Sequence, residues 1–366
     1  MKINNLTLII VSFWCFACTS STEPIDVNDN DNPENTSTSF YFPPIQSSEW
    51  ETISPAELTW NTANEEALFN FLETNQTKAF IILKDGKIAV EWYFGDHDQN
   101  TTWYWASAGK TLTAFTVGLA EEDGLLNIND TSSLYLGEGW TSLATEKENL
   151  ITLKHQLTMT TGLDDQEFDC VTPDCLHYIA DAGARWAYHN GPYTLLQQVV
   201  ANASSTNWSS YFNDKLRNRI GMDGFWFSTN NLNNVYFSTA RSMARFGLLN
   251  LNNGKWGDDT ILSSAAYISG MKNTSQDLNK SYGYLWWLNG KDSFRAPASQ
   301  IVFNGPLITN APNDLYAGLG KNDQKLYIVP SRGMVIIRMG EDTGDALLGP
   351  SSFDNSLWEK INDFIN

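Results

Sequence analysis

The stretch Trp103-Tyr104-Trp105-Ala106-Ser107-Ala108-Gly109-Lys110 leads directly into a run of apolar residues at helical spacing. This spacing predicts a helix from Ser107 to about Glu122. Residues three apart share a helix face, so the Ser107 hydroxyl and the Lys110 amine would lie side by side. The start of a helix favours negative charge on the serine oxygen, and a lysine whose pKa burial lowers can take the hydroxyl proton. We therefore predict Ser107 as nucleophile and Lys110 as its base.

A second copy of the same spacing occurs at Ser269-Gly270-Met271-Lys272. It follows the apolar stretch 261–268 and contains a glycine, which predicts the C-terminal end of a helix. The helix dipole has the wrong sign there to stabilise an alkoxide. We interpret this copy as a helix end.

Tyr188-His189-Asn190 forms a further candidate, in a segment whose Gly-Pro pair predicts a loop before the helix 194–203. A phenol beside a lysine ammonium can have its pKa reduced and move protons to a leaving group. The Asn190 amide offers a donor and an acceptor to a substrate. The similar Tyr211-Phe212-Asn213 falls inside a predicted helix, 208–220, and is interpreted as packing. A loop tyrosine taken alone is more often structural than catalytic.

The rest of the chain predicts one sheet built from both termini. Residues 79–93 carry a hairpin pattern with Asp85-Gly86 at the turn, and strand patterns return only late in the chain. Residues 130–280 read mostly as helices and loops, and an amphipathic helix is predicted over 352–365. The late strands are predicted at 284–288, 325–329 and 334–338, and a further helix at 238–251. This order predicts an α/β fold with an inserted helical subdomain.

Together these motifs resemble the serine hydrolases of the β-lactamase and penicillin-binding-protein family. The likeness is to class C enzymes and to the branch of esterases and 6-aminohexanoate-oligomer hydrolases. Residues 157–163 and 317–324, with the strand that follows, look like other segments of that family. The resemblance covers roughly residues 50–366.

The resemblance implies a β-lactamase-like fold: a serpin-type antiparallel sheet flanked by helices, with an inserted all-helical subdomain. It implies an acyl-enzyme on Ser107, with Lys110 and Tyr188 as general bases and acids and Asn190 in substrate binding. Aligning Gly318-Leu319-Gly320 with the family's third motif adds Gly318 and Gly320 to the substrate site. The backbone amides of Ser107 and Lys321 would then form the oxyanion hole.

The third motif departs from the family at its first position. β-Lactamases and peptidoglycan peptidases place Lys or His there to bind a carboxylate, whereas this chain has Gly318. We therefore predict an ester substrate, or a small amide. A β-lactamase or D-Ala carboxypeptidase (amidohydrolase) is the alternative, and a non-catalytic surface binding protein with an aromatic cleft is another. A Ser-His-Asp triad is disfavoured, because the segment 105–109 lacks the first glycine of a nucleophile elbow.

The N-terminus predicts export. Residues 1–18 read as a signal peptide that ends in a lipobox-like Cys18, although Cys15 stands where leucine is usual; cleavage without lipidation is the alternative. Residues 19–44 are polar and predict a disordered tether, which leaves 45–366 as the hydrolase domain. We expect secretion across the inner membrane and a periplasmic or outer-membrane lipoprotein. Cys170 and Cys175 lie close together in a polar loop, and export permits a disulfide between them.

Composition limits the partners. The formal net charge of -19, without a basic stripe, argues against nucleic acid. The 4 histidines are not at ligand spacing, and no nucleotide or flavin motif occurs, so no metal or other cofactor is expected. The predicted partner is a small ester or amide substrate, with membrane contact only through the lipid anchor.

Overall fold

The fold is described from a computed structural model that covers residues 40–229, 233–344 and 349–366. Its strands, numbered along the chain, are β1 (Thr77–Lys84), β2 (Lys87–Tyr93), β3 (Trp103–Tyr104), β4 (Phe225–Thr229), β5 (Asn233–Ser238), β6 (Lys255–Trp256), β7 (Asp259–Thr260), β8 (Trp287–Leu288), β9 (Ser293–Phe294), β10 (Phe303–Asn304), β11 (Tyr316–Gly320), β12 (Gln324–Val329) and β13 (Met334–Gly340). Its α-helices are α1 (Glu65–Thr74), α2 (Lys110–Glu122), α3 (Ser133–Leu136), α4 (Thr145–Glu148), α5 (Leu153–Leu157), α6 (Asn190–Ser204), α7 (Trp208–Phe212), α8 (Ala240–Leu251), α9 (Ala265–Lys272) and α10 (Ser352–Ile365). Within the described ranges, none of these helices has the length and apolar character needed to cross a bilayer.

The central sheet has six strands in the order β2-β1-β13-β12-β11-β8, and every neighbouring pair is antiparallel. The predicted hairpin is confirmed: β1 and β2 pair across Asp85-Gly86, where Gly86 has a φ of 88° that suits glycine. β1 also pairs with β13, so that Ile81 lies opposite Ile337. The sheet is therefore built from both ends of the chain, as the sequence predicts.

Helices cover both faces of this sheet. A Cβ on Gly247 of α8 would lie 2.4 Å from Val335 of β13, so α8 packs closely on one face. The next residue of β13, Ile336, points the other way and pairs with Tyr327 of β12. The Tyr327 ring meets Trp358 of α10 edge to face at 5.7 Å. Strands buried on both faces explain why β12 and β13 read as continuous apolar runs.

The segment between β3 and β8 holds most of the remaining helices, and it differs from the prediction in its middle. The strands β4 and β5 form a hairpin there, and β5 also pairs with β3 to make a three-stranded sheet. The continuous helix predicted over 208–220 ends as an α-helix at Phe212 and continues as a π-helical turn, 213–217, and a 3₁₀ turn. Of the strand predicted at 284–288, only Trp287–Leu288 pairs. The helix predicted over 352–365 is confirmed.

Candidate active site

The candidate nucleophile lies in a tight turn. Ala106–Gly109 forms a 3₁₀ turn, and α2 begins at Lys110. Ser107 therefore lies just before the α-helix, whereas the sequence predicts a helix that starts at Ser107. Ala106 has a left-handed φ of 46°, which is uncommon for a residue with a side chain. The Trp105 backbone N–H donates to the Tyr236 carbonyl at 2.8 Å, which fixes the turn to β5. The conformation exposes part of Ser107 while Lys110 stays buried.

Lys110 and Ser107 are in direct contact. The Lys110 Nζ donates a hydrogen bond to the Ser107 Oγ at 2.8 Å. Nζ also lies over two aromatic rings, 4.8 Å from the centre of Tyr188 and 4.3 Å from that of Tyr193. Only 1% of Lys110 is exposed, and this burial lowers its pKa to about 7, opposed by the negative charge of Asp169. A lysine with that pKa is largely uncharged in mildly alkaline solution and can accept a proton.

Tyr188 lies against the same pair of residues. Its ring stacks on Trp287 at 5.7 Å and on Phe168 at 6.2 Å. Burial raises the pKa of its phenol, while a hydrogen bond with Ser107 acts in the opposite direction. The expectation that a nearby ammonium reduces this pKa is therefore wrong, because desolvation outweighs the favourable contacts. At neutral pH the phenol carries its proton and can donate it.

Asn190 is the first residue of α6, four residues before the predicted helix start. Its Nδ2 donates to the Asp169 Oδ1 at 2.7 Å. Its Oδ1 is buried and has no hydrogen-bond partner among the described residues. The side chain therefore has one buried acceptor without a partner, in the residue two positions after Tyr188.

Asp169 and Phe168 were missed by the sequence analysis. They belong to a loop that the Gly191 N–H ties to α6 by donating to the Phe168 carbonyl at 3.1 Å. The next residue, Cys170, forms a disulfide with Cys175, with Cα atoms 6.2 Å apart. The contacts of Asp169 with Asn190 and of Phe168 with Gly191 join residues about 20 positions apart in the chain, so no local sequence pattern could predict them.

The end of β11 reaches the nucleophile turn. A Cβ on Gly320 would lie 2.5 Å from the Trp105 carbonyl oxygen and 3.1 Å from the Ala108 nitrogen, so only glycine permits this approach. A Cβ on Gly318 would lie 3.2 Å from Thr111 and 3.3 Å from the Ala108 oxygen. Lys321 follows in the turn after β11, and its side chain is exposed. The structure thus brings the predicted third motif next to Ser107.

The other sequence candidates lie in different surroundings. Lys272 is the last residue of α9, and its Nζ donates to the Asn250 carbonyl at 2.7 Å, in keeping with a helix end. Tyr211 is buried and donates to Asp123 at 2.7 Å, as a packing residue would. His189 is buried between Tyr188 and Asn190, with neither ring nitrogen hydrogen-bonded within the described ranges. Cys18 lies outside the described residues.

Known proteins share this architecture. The chain is 24% identical, over 295 residues, to an uncharacterised protein of Alkalihalophilus pseudofirmus, covering 70% of this chain and 81% of that protein. Two solved structures are similar in fold. A Bacillus anthracis protein provisionally named a 6-aminohexanoate-dimer hydrolase has a TM-score of 0.66 at 19% identity, covering 88% of each chain. A Bacteroides dorei protein provisionally named a β-lactamase has a TM-score of 0.65 at 16% identity, covering 84% of this chain and 99% of its own.

A family model gives the broader assignment. The model described as Beta-lactamase matches residues 72–345, which include the nucleophile turn, the segment around Tyr188 and the end of β11. The match spans well over half of the chain, and the solved neighbours share its fold across most of their length. This protein therefore belongs to the β-lactamase family of serine hydrolases.

Proposed function

We propose that this protein hydrolyses an ester, or a small amide, through an acyl-enzyme on Ser107. The observation that carries the proposal is the 2.8 Å contact between the Lys110 Nζ and the Ser107 Oγ, with the lysine fully buried. Because burial brings the pKa of Lys110 to about 7, its uncharged form can take the serine proton near neutral pH. A nucleophile and base within hydrogen-bonding distance are the arrangement that covalent catalysis requires.

The chemical steps follow from these contacts. Ser107 Oγ attacks the substrate carbonyl carbon while its proton passes to Lys110, and a tetrahedral oxyanion forms. The backbone amides of Ser107 and Lys321 stabilise that oxyanion. Collapse of the tetrahedral intermediate breaks the bond to the leaving group, which takes a proton from the Tyr188 phenol. Lys110 then passes the proton that it took from Ser107 to Tyr188. Water then attacks the acyl-enzyme with the same groups as base and acid, releasing the acid and restoring Ser107.

The charges around the site disfavour a substrate with a carboxylate. The position where relatives carry a cation is Gly318, whose surroundings at 3.2 and 3.3 Å leave little room for a long side chain. Asp169 places negative charge close enough to Lys110 to affect its pKa. An anionic β-lactam or D-Ala terminus would meet this charge without a compensating cation at position 318. These features support a neutral ester ahead of an antibiotic.

A small amide is the second candidate. Asn190 donates one of its two Nδ2 hydrogens to Asp169, and its buried Oδ1, which has no partner among the described residues, can accept a hydrogen bond from the N–H of an amide that enters the site. An ester has no such donor. The structurally similar Bacillus anthracis protein carries an amide-hydrolase name, which is consistent with this candidate.

Parallel turnover measurements test the proposal. Purified protein would be mixed with p-nitrophenyl acetate, p-nitroacetanilide and nitrocefin, with Ser107→Ala as the control. We expect the ester to react fastest, the anilide slowly and nitrocefin hardly at all, with every activity lost in the variant. Rapid nitrocefin turnover would make the protein a β-lactamase, and silence toward all three would favour a binding protein.

The cellular location is proposed on the sequence and on one structural feature. The Cys170–Cys175 disulfide is typical of an exported protein and supports export of this chain. The lipobox-like segment that ends at Cys18 is the basis on which we propose removal of the leader and lipidation of Cys18. Labelling of the full chain with an alkyne fatty acid would test this. Label on wild type and on Cys15→Ser, with none on Cys18→Ser, is expected, and an unlabelled wild type would leave cleavage without lipidation.

A further inference from the structure

The turn that follows β11 has a left-handed backbone. Lys321–Asp323 connects β11 to β12, and two of its residues in succession, Asn322 and Asp323, have left-handed φ values of 58° and 56°. Neither is glycine, although Asn and Asp tolerate this conformation better than other residues with side chains, and tight hairpin turns use it. Contacts with neighbouring residues therefore add to a conformation that the turn already favours.

Two buried side chains hold the carbonyl groups of this turn. Gln324 donates through Nε2 to the Asn322 oxygen at 2.8 Å, to the Lys321 oxygen at 3.3 Å and to the Gly340 oxygen at 2.7 Å. Arg338 donates through Nη1 to the Asn322 oxygen at 2.9 Å and to the Asp323 oxygen at 3.1 Å. Gln324 and Arg338 are both fully buried. All three carbonyl oxygens of the turn are therefore hydrogen-bonded to fixed donors.

The side chains of the turn are fixed as well. The Asn322 Nδ2 donates to the Tyr104 hydroxyl at 2.7 Å. The Asp323 carboxylate accepts from Ser351 at 2.6 Å and pairs with the buried Lys325 at 3.0 Å. Burying this many polar groups costs free energy unless each is paired, so the turn is held in one conformation by its neighbours.

The turn adjoins the reaction centre through Gly320. That residue approaches the Ala108 nitrogen so closely that a Cβ would lie 3.1 Å from it, and the next peptide group contains the Lys321 N–H. Oxyanion donors act only when they are aimed within tenths of an ångström of the developing charge. The direction of the Lys321 N–H depends on the backbone conformation that the turn imposes.

We infer that Gln324 and Arg338 are positioning residues, which aim the Lys321 amide at the substrate oxyanion by fixing the turn 321–323. The inference rests on the proposed function, because it assumes that this amide stabilises the oxyanion. Neither side chain has to touch substrate. Their effect is on the transition state, so it falls on kcat and leaves KM nearly unchanged.

A purely structural role is the competing explanation, and the chain offers a matched control for it. Asn289 is buried and donates through Nδ2 to the carbonyls of Ile308, Ala311 and Pro312 at 3.0, 3.2 and 3.0 Å. Its backbone N–H donates to the Leu315 carbonyl, next to the far end of β11. Gln324→Met and Asn289→Leu each remove a buried amide that donates to three carbonyls. Only the first acts on the turn beside Ser107.

The test compares these two variants with wild type. Ester turnover gives kcat and KM, binding of an aryl boronic acid reports the tetrahedral adduct, and thermal unfolding reports stability. We expect Gln324→Met to lower kcat and boronate affinity by about tenfold or more, with KM within about twofold of wild type. Asn289→Leu should leave kcat, KM and boronate affinity within about twofold of wild type. If the two variants lose kcat equally, or if Gln324→Met keeps wild-type kcat, the inference is overturned.

A gentler variant covers the case in which Gln324→Met does not fold. Arg338→Lys keeps the positive charge and removes the planar guanidinium that donates to the Asn322 and Asp323 oxygens. We expect kcat to fall by about threefold with unchanged KM, and an unchanged kcat would overturn the inference. Failure of the proposed function looks different, since wild type itself would then form no acyl-enzyme.

Discussion

The Lys110 Nζ lies 2.8 Å from the Ser107 Oγ, and the lysine is packed against the rings of Tyr188 and Tyr193. This places an amine with a pKa of about 7 on the hydroxyl that is proposed to react. A solvated lysine would stay charged until about pH 10, so it is burial that lets Lys110 act as a base near neutral pH.

Replacing Lys110 by arginine should remove the base and keep the positive charge. A guanidinium is never deprotonated in a protein, so it cannot take the Ser107 proton. We expect kcat/KM for p-nitrophenyl acetate to fall by about a thousandfold. Lys272→Arg is the control, because Lys272 also ends a Ser-x-x-Lys spacing and burial lowers its pKa to about 8. Comparable losses in both variants would contradict a specific role for Lys110.

The pH dependence of the reaction should report the buried lysine. Below a pKa of about 7 Lys110 is protonated and cannot act as base, so kcat/KM should rise with pH through about 7 and then level off. Asp169 raises this pKa, so Asp169→Asn should move the rise to lower pH. A pH profile of both proteins measures this. A rise centred near pH 10, or no shift in the variant, would contradict the assignment.

Local patterns in the sequence predicted the outer frame of the fold and the reactive pair. The β1–β2 hairpin follows from Asp85-Gly86, and α10 follows from its apolar spacing, because neighbouring residues determine both. Ser107 and Lys110 are three residues apart, so their contact is also local. The burial of Lys110 is not local, since it depends on tyrosines about 80 positions away.

Features made by distant segments escaped the sequence analysis. The hairpin β4–β5 carries three consecutive aromatic residues, Phe225-Trp226-Phe227, and aromatic enrichment is a strand signal, but the segment lies between two predicted helices and was not recognised as a strand. Asp169 is paired with Asn190 across 21 positions, and Arg338 reaches Asn322 across 16. Tertiary packing creates these contacts, so no spacing rule could have given them.

Substitution of Gly320 should impair catalysis through the backbone. Its added Cβ would lie 2.5 Å from the Trp105 oxygen, which forces the end of β11 away from the nucleophile turn. We expect Gly320→Ala to lower kcat by at least about tenfold, because an oxyanion donor is displaced. Gly109→Ala is the matched control within the nucleophile turn, because a Cβ there would lie 3.7 Å from its nearest neighbour, the Tyr236 Cβ. Ester assays of this variant should show nearly full activity. Full activity in Gly320→Ala would refute the close approach.

The disulfide should stabilise the protein by a modest amount. Cys170 and Cys175 are five residues apart, and closing so short a loop is worth about 2 kcal/mol in the chain-entropy model. The double variant Cys170→Ser, Cys175→Ser should lose about that free energy of unfolding in urea titrations. Alkylation of both thiols in the unreduced wild type, under denaturing conditions, would show that the bond does not form.

The most direct test of the proposed mechanism is to find the acyl group. Wild type and Ser107→Ala would be mixed with p-nitrophenyl acetate and quenched in acid within the first turnover, and the peptide containing Ser107 would be analysed by mass spectrometry. We predict one acetyl group on Ser107 in wild type, formed in step with the burst of nitrophenol, and none in the variant. Ester hydrolysis without this adduct, or the same burst from Ser107→Ala, would contradict the acyl-enzyme.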